Sequence, residues 1–217
     1  MMERKILSEA SLLEAVSELT ARDPDLAGVV ARYGPPPLWA RPPGFPTLIH
    51  IILEQQVSLA SALAAFERLK VAAAPLSPET FLTLDDETLL AVGFSRQKAR
   101  YGRILAAAVL SGELDLPALE AMDDDGIRAA LCRITGIGPW TAEIYLLMVL
   151  LRPDAWPRSD LALATAARRV KGLPRAPGPS ELEQLGELWH PYRAAAARLL
   201  WHDYLSQPRK ARMKEEG

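Results

Sequence analysis

The sequence predicts an all-α protein. Almost every apolar run repeats at helical spacing, and none sustains the every-second-residue alternation of a strand. Between the runs stand prolines, glycines and residues suited to starting a helix.

Taken in order, a first helix is expected from about Ser8 to Ala21 and a second after Pro24. Gly34-Pro35-Pro36-Pro37 and Pro42-Pro43-Gly44 cannot be helical and read as a stiff crossing segment. A helix starts near Thr47, with Leu48, Ile51 and Ile52 on one side. Ser58 can cap the next, which runs through Leu63, Phe66 and Leu69. That leaves Glu54-Gln55-Gln56-Val57 at a junction. Further helices are expected from Asp86, from Ser95 to about Leu110, and from Asp123 towards Arg133. Beyond alanine richness there is no repeat and no low-complexity tract.

Bulk properties narrow the class. The chain has 217 residues, of which 49% are hydrophobic and 24% charged, enough for one large helical domain or two small ones. A lone cysteine, Cys132, excludes a disulfide framework within the chain and a cysteine-ligated zinc or iron–sulfur cluster. The most apolar stretch, Ile144 to Leu151, is too short to span a bilayer. Met1 to Lys5 lead into polar sequence rather than a signal core, so no membrane association and a cytoplasmic location are expected. The net charge of −2 does not announce a nucleic-acid binder, but the charges are uneven. Acids dominate from Phe81 to Gly126. Bases dominate from Leu150 to Arg175, and Arg209, Lys210, Arg212 and Lys214 extend them. Such asymmetry can set a positive surface against phosphates, or it can be an ordinary solvated face.

The most informative segment is Leu131-Cys132-Arg133-Ile134-Thr135-Gly136-Ile137-Gly138-Pro139-Trp140-Thr141-Ala142. A helix arrives at Ile134, the chain turns through Gly136-Ile137-Gly138, and a new helix begins with Pro139 at its first position, where its missing N–H costs nothing. The two glycines allow positive φ and a close approach of backbone to another molecule. Amides at the new helix start can grip a phosphate. A tight turn between two packed helices explains a Gly-x-Gly equally well.

This string resembles the hairpin of the helix-hairpin-helix DNA glycosylase superfamily, and within it the 3-methyladenine DNA glycosylase II branch. Asp160, in Trp156-Pro157-Arg158-Ser159-Asp160-Leu161, stands where the family's catalytic aspartate belongs. Ile52-Leu53-Glu54-Gln55-Gln56-Val57-Ser58-Leu59-Ala60 resembles the minor-groove loop. Trp189-His190-Pro191-Tyr192-Arg193 followed by Leu199-Leu200-Trp201 also matches that branch. The resemblance runs from about Phe45 to Tyr204, with four motifs in order.

The resemblance implies two helical subdomains, residues 45–151 with the hairpin and residues 1–44 plus 152–217 with the catalytic Asp, and a DNA- and base-binding cleft between them. It implies a monomer that acts on double-stranded DNA containing damaged bases, flipping out and excising alkylated purines without cleaving the strand. Asp160 would stabilise the positive charge that develops on the deoxyribose and direct the water. An ordinary helix N-cap is the plain alternative for Asp160. Lyase branches carry a Schiff-base lysine where Trp140 stands, so hydrolysis is expected, with Lys98 and Lys171 as lysines that no motif supports in that role. Trp140 and Trp201 would stack on a cationic base, Trp201 facing Trp140 or the base itself, unless both are core residues. The family's pocket tyrosine falls on Ile144, beside Tyr145. Gln56 stands where a branch member has leucine to plug the gap left by the flipped base. Gln55 and Gln56, together with Gly136, Ile137, Gly138 and Thr141, would meet DNA. No cofactor is implied except a structural Na+ or K+ at the hairpin when DNA is bound, held by the backbone carbonyls of Cys132, Ile134 and Ile137. His50, His190 and His202 lack metal-ligand spacing, and Arg193 is expected to brace a carboxylate in the helical core, with a plain surface salt bridge as the alternative.

Three other readings stay open: a glycosylase of the same fold for another damaged or mismatched base, a non-catalytic DNA-binding hairpin protein, and a helical adaptor.

Overall fold

The computed structural model describes residues 6–208, so Met1 to Lys5 and the basic tail from Arg209 to Lys214 lie outside the described residues. Among the described residues all regular structure is helical. The α-helices are α1 (Glu9–Arg22), α2 (Pro24–Tyr33), α3 (Phe45–Glu54), α4 (Leu59–Ala72), α5 (Pro78–Leu82), α6 (Asp86–Val92), α7 (Arg96–Leu110), α8 (Asp124–Cys132), α9 (Pro139–Met148), α10 (Leu161–Val170), α11 (Pro179–Glu187) and α12 (Arg193–Ser206). A short 3-10 turn, Pro117–Ala121, precedes α8.

Local chemistry sets the starts. Ser8, Asp23, Ser58, Ser77, Asp85, Ser95, Asp123 and Asp160 each accept a hydrogen bond from an amide in the first turn that follows. These bonds satisfy donors that helix geometry leaves without partners. The helix expected from Thr47 begins at Phe45, because Gly44 serves as N-cap and Pro46 fits the first turn. At five residues, α5 is too short to show a period in the sequence. The helix expected to reach Ile134 stops at Cys132, since the Ile134 amide has already tightened onto Leu131 O at 3.1 Å.

The described residues form two compact units, 6–40 with 150–208, and 41–149. In the first, α12 packs against α1, α2, α10 and α11. Ala194 to Leu200 are buried without a break, so this stretch of the helix is a core element buried on every side. Four consecutive alanines let its neighbours approach closely. Within that core Arg198 donates to Leu38 O (2.8 Å) and Ala194 O (3.0 Å), and burial pushes its guanidinium down to about 10. Asp23 caps α2 and also accepts from Trp189 Nε1 (2.8 Å) and Lys171 Nζ (3.1 Å). Burial works to raise its carboxyl, but the hydrogen bonds from Trp189, Lys171 and the Leu26 amide outweigh it and hold the group below its ordinary value.

In the second unit α3 is the core helix. Leu48, Ile49, Ile51 and Ile52 are fully buried, and α3 packs on α4, α7 and α9. Helix α7 also lies against α5, where Gly102 is required by close approach. A Cβ there would come within 2.5 Å of Phe81 Cζ.

Candidate functional site

The residues singled out by sequence fall into two groups, one in each unit. In the 41–149 unit the hairpin joins α8 to α9. Ile137 N–H donates to Ile134 O at 2.9 Å and closes the turn. Gly136 has φ +101°, and a Cβ on it would meet the Tyr101 ring at 2.3 Å, so both conformation and space require glycine. Both glycines allow positive φ, but only Gly136 uses it. Gly138 has φ −96°, an extended conformation open to any residue, and nothing lies within 4 Å of its missing Cβ. What it provides is an open surface at the start of α9, where no side chain caps the helix and Pro139 takes the first turn.

The remaining hairpin residues divide by burial. The side chains of Ile134 and Ile137 point into the core, while Cys132 is exposed. Thr141 is 1% exposed, and its hydroxyl accepts from Gln55 Nε2 at 3.0 Å, so this side chain meets the interior. Trp140 is partly exposed. One turn later Ile144 and Tyr145 are buried, Tyr145 completely. Burial is the main cause that raises the Tyr145 phenol above its ordinary value.

Gln55 and Gln56 play unlike parts. Gln55 is the C-cap of α3 and sends its amide to Gly136 O (2.9 Å) as well as to Thr141. Gln56 is exposed and sits in the left-handed region at φ 57°. Lys98 on α7, considered in sequence only as a stand-in nucleophile, donates to Leu53 O and Gln55 O, both at 2.7 Å. Burial lowers its ammonium below the ordinary value. Neither Lys98 nor Tyr101 had a sequence signal for these roles. Their partners lie far away in the chain, and only a 1,4 spacing on one helix links them.

In the other unit Asp160 is the N-cap of α10. Its Oδ1 accepts from the Leu163 amide at 2.7 Å and from the Trp201 indole N–H at 3.2 Å. One carboxylate oxygen is thus held by a helix start and by α12 together. Trp201 is largely buried. Two residues on, Asp203 is fully buried and paired with Arg169, which pins α12 to α10. Arg193 bridges Asp154 (2.6 Å) and Glu187 (2.8 Å), which are partly and well exposed, so it braces carboxylates near the surface and not one in the helical core. Lys171 is engaged by Asp23 and Asp25. No group of three or more His, Cys, Asp or Glu able to hold a metal occurs among the described residues.

Comparison with known proteins gives a consistent assignment. Residues 49–191 match the family described as HhH-GPD superfamily base excision DNA repair protein. A Bacillus subtilis protein provisionally named DNA-3-methyladenine glycosylase YfjP is 32% identical over 162 residues, which span 71% of this chain and 56% of that protein. DNA-3-methyladenine glycosylase 1 of Schizosaccharomyces pombe is 30% identical over 198 residues, 88% of this chain and 87% of that one. Among solved structures, the S. pombe 3-methyladenine DNA glycosylase Mag1 in complex with abasic DNA superposes with a TM-score of 0.80 at 29% identity, covering 87% of this chain and 95% of that chain.

Proposed function

The chain belongs to the HhH-GPD superfamily of base excision DNA repair proteins, and on that premise we propose that it is a DNA glycosylase that hydrolyses alkylated purines from duplex DNA, with Asp160 as catalytic carboxylate. The observation that carries this reading is the fixed carboxylate: Oδ1 accepts from both the Leu163 amide and the Trp201 indole. The names of the relatives, 3-methyladenine glycosylases over most of the chain, support the substrate class.

The reaction asks little else of the protein. As the C1′–N bond breaks, its electron pair leaves with the base, and positive charge develops on the sugar. An N-alkylated purine is cationic and departs neutral, so no acid has to protonate it. Asp160 stabilises the sugar cation, orients a water towards C1′ and takes its proton. Because the carboxylate is already held, it need not reorganise as the charge forms. Trp140, with part of its indole exposed, offers a stacking face worth about 0.5–2 kcal/mol to a cationic base. Trp201 serves first by orienting Asp160. Ile144 and Tyr145 are buried on α9 and act through packing.

Duplex DNA is held at the hairpin, through the uncapped start of α9 and the backbone of Gly136, Ile137 and Gly138. A monovalent cation fits the same turn. Ile134 O accepts the Ile137 amide and, as a carbonyl, has a second lone pair, so with Cys132 O and Ile137 O it could hold Na+ or K+. When bound, that ion supplies positive charge for a phosphate. No strand cleavage is expected. Trp140 has no nucleophilic nitrogen for a Schiff base, and Lys98 and Lys171 are committed to carbonyls and carboxylates.

The test uses duplexes bearing N-methylated purines, hypoxanthine or 8-oxoguanine, incubated with wild type and Asp160→Asn. Free base should appear from the methylated duplex with wild type only, and the strand should break only after alkali. Release confined to hypoxanthine or 8-oxoguanine would overturn the substrate, and strand breaks without alkali would overturn the hydrolytic mechanism.

A further inference from the structure

The C-terminal end of α3 should be a weak point. Its last carbonyls have no partner within the helix. The chain then passes through Gln56 at φ 57°, a left-handed conformation that surrounding structure must hold in place for any residue with a Cβ. Two side chains reinforce it. The Lys98 ammonium donates to Leu53 O and Gln55 O at 2.7 Å each, placing a cation on a helix C-terminus where the dipole favours one. Gln55 reaches the other way, its amide donating to Gly136 O (2.9 Å) and Thr141 Oγ1 (3.0 Å), which are 81 and 86 residues further along the chain. One turn after Lys98 on α7, Tyr101 lies under Gly136, and its hydroxyl accepts from Gln97 Nε2 at 2.7 Å. One stretch of α7 therefore holds the Gln56 turn from one side and the glycine hairpin from the other, with Gln55 as the tie between them.

We propose that Lys98 and Gln55 are positioning residues that lock the Gln56 turn to the hairpin, so that the two loops meet a duplex as one body. This rests on the DNA-binding reading above and extends it. A side chain that enters the base stack must be placed to a fraction of an ångström relative to the phosphate grip, and a loose supporting shell forfeits that. The lock also accounts for a half-buried lysine that donates to two backbone carbonyls and a half-buried glutamine that donates to a carbonyl and a buried hydroxyl.

Two measurements test it, one of them without DNA. Lys98→Met keeps an unbranched stem one atom shorter and removes the donors, while Gln55→Glu keeps the shape and removes donation to Gly136 O. In the free protein, Lys98→Met should raise amide exchange about tenfold in both residues 55–58 and residues 135–140, the loss expected for a charge-assisted hydrogen bond. Faster exchange confined to residues 53–58 would overturn the coupling. On a duplex with 2-aminopurine beside the target base, Lys98→Met and Gln55→Glu should each slow flipping about tenfold, and Lys98→Arg should restore most of the rate. In a Gln56→Gly background Lys98→Met should cost less than a further twofold. Effects that simply multiply would overturn action through Gln56. A wild type that shows coupled exchange but no flipping would overturn the DNA-binding reading and leave the lock standing.

Discussion

Asp160→Asn changes one oxygen of the carboxylate to an amide nitrogen and leaves Oδ1 free to accept from both Leu163 and Trp201, whose distances are 2.7 and 3.2 Å. Asparagine caps a helix as well as aspartate does, so at the start of α10 the structural loss is that of a charge at a helix N-terminus, about 0.3–1 kcal/mol. For a chain of this size that lowers Tm by roughly 1–4 °C. The loss in the reaction is far larger. A unit charge about 4 Å from the sugar cation, at an effective dielectric near 20, contributes roughly 4 kcal/mol. That is close to a thousandfold in rate. The assay is single-turnover release of free base from a methylated duplex, run beside thermal unfolding and DNA anisotropy. Base release reduced at least a hundredfold, with Tm and DNA affinity nearly unchanged, is the expected result. A variant within threefold of wild type would show that the carboxylate is only a cap and refute the reasoning. Asp160→Ala separates the two roles, since it also loses the cap and should cost a further 1–2 kcal/mol, by the usual value of about 1 for a cap and 1 for a hydrogen bond.

Trp201→Phe keeps most of the buried ring and removes the N–H that orients Asp160. Single-turnover release should fall about tenfold with KM little changed, and loss in KM alone would contradict an orienting role. Gly136→Ala forces a Cβ into the Tyr101 ring at φ +101°, costing about 2–4 kcal/mol and lowering Tm by several degrees. Tyr101→Ala in the same chain should recover part of that loss, and no recovery would mean that the clash is not the cause. Asp23→Asn should destabilise the protein by about 1–2 kcal/mol at neutral pH through weaker bonds to Trp189 and Lys171. Because the folded-state carboxyl lies below its ordinary 3.8, this stabilisation is present above pH 3.8 and lost as pH falls through the folded value. Urea unfolding at pH 7 and pH 3 should show the gap between the proteins closing, and a constant gap would remove the charge from the account.

The all-α class and most helix starts were legible in the sequence because caps and prolines act within a turn. Ser8, Ser58, Ser95 and Asp123 each meet an amide three residues on, so a short window contains both partners. The Gly136-to-Pro139 turn was legible for the same reason, and so was Asp160 as a candidate, from its place after the hairpin. Packing decided the rest. That Trp201 orients Asp160 depends on α12 lying against α10, a contact 41 residues apart in the chain. That Gln55 and Thr141 bond to each other, instead of both reaching outward, depends on α3 meeting α9. Lys98 and Tyr101 became supports for two loops only because α7 passes beneath both. Local propensity fixes where a backbone turns, but side-chain partners across tens of residues are chosen when buried surfaces come together, and no short stretch of sequence contains that choice.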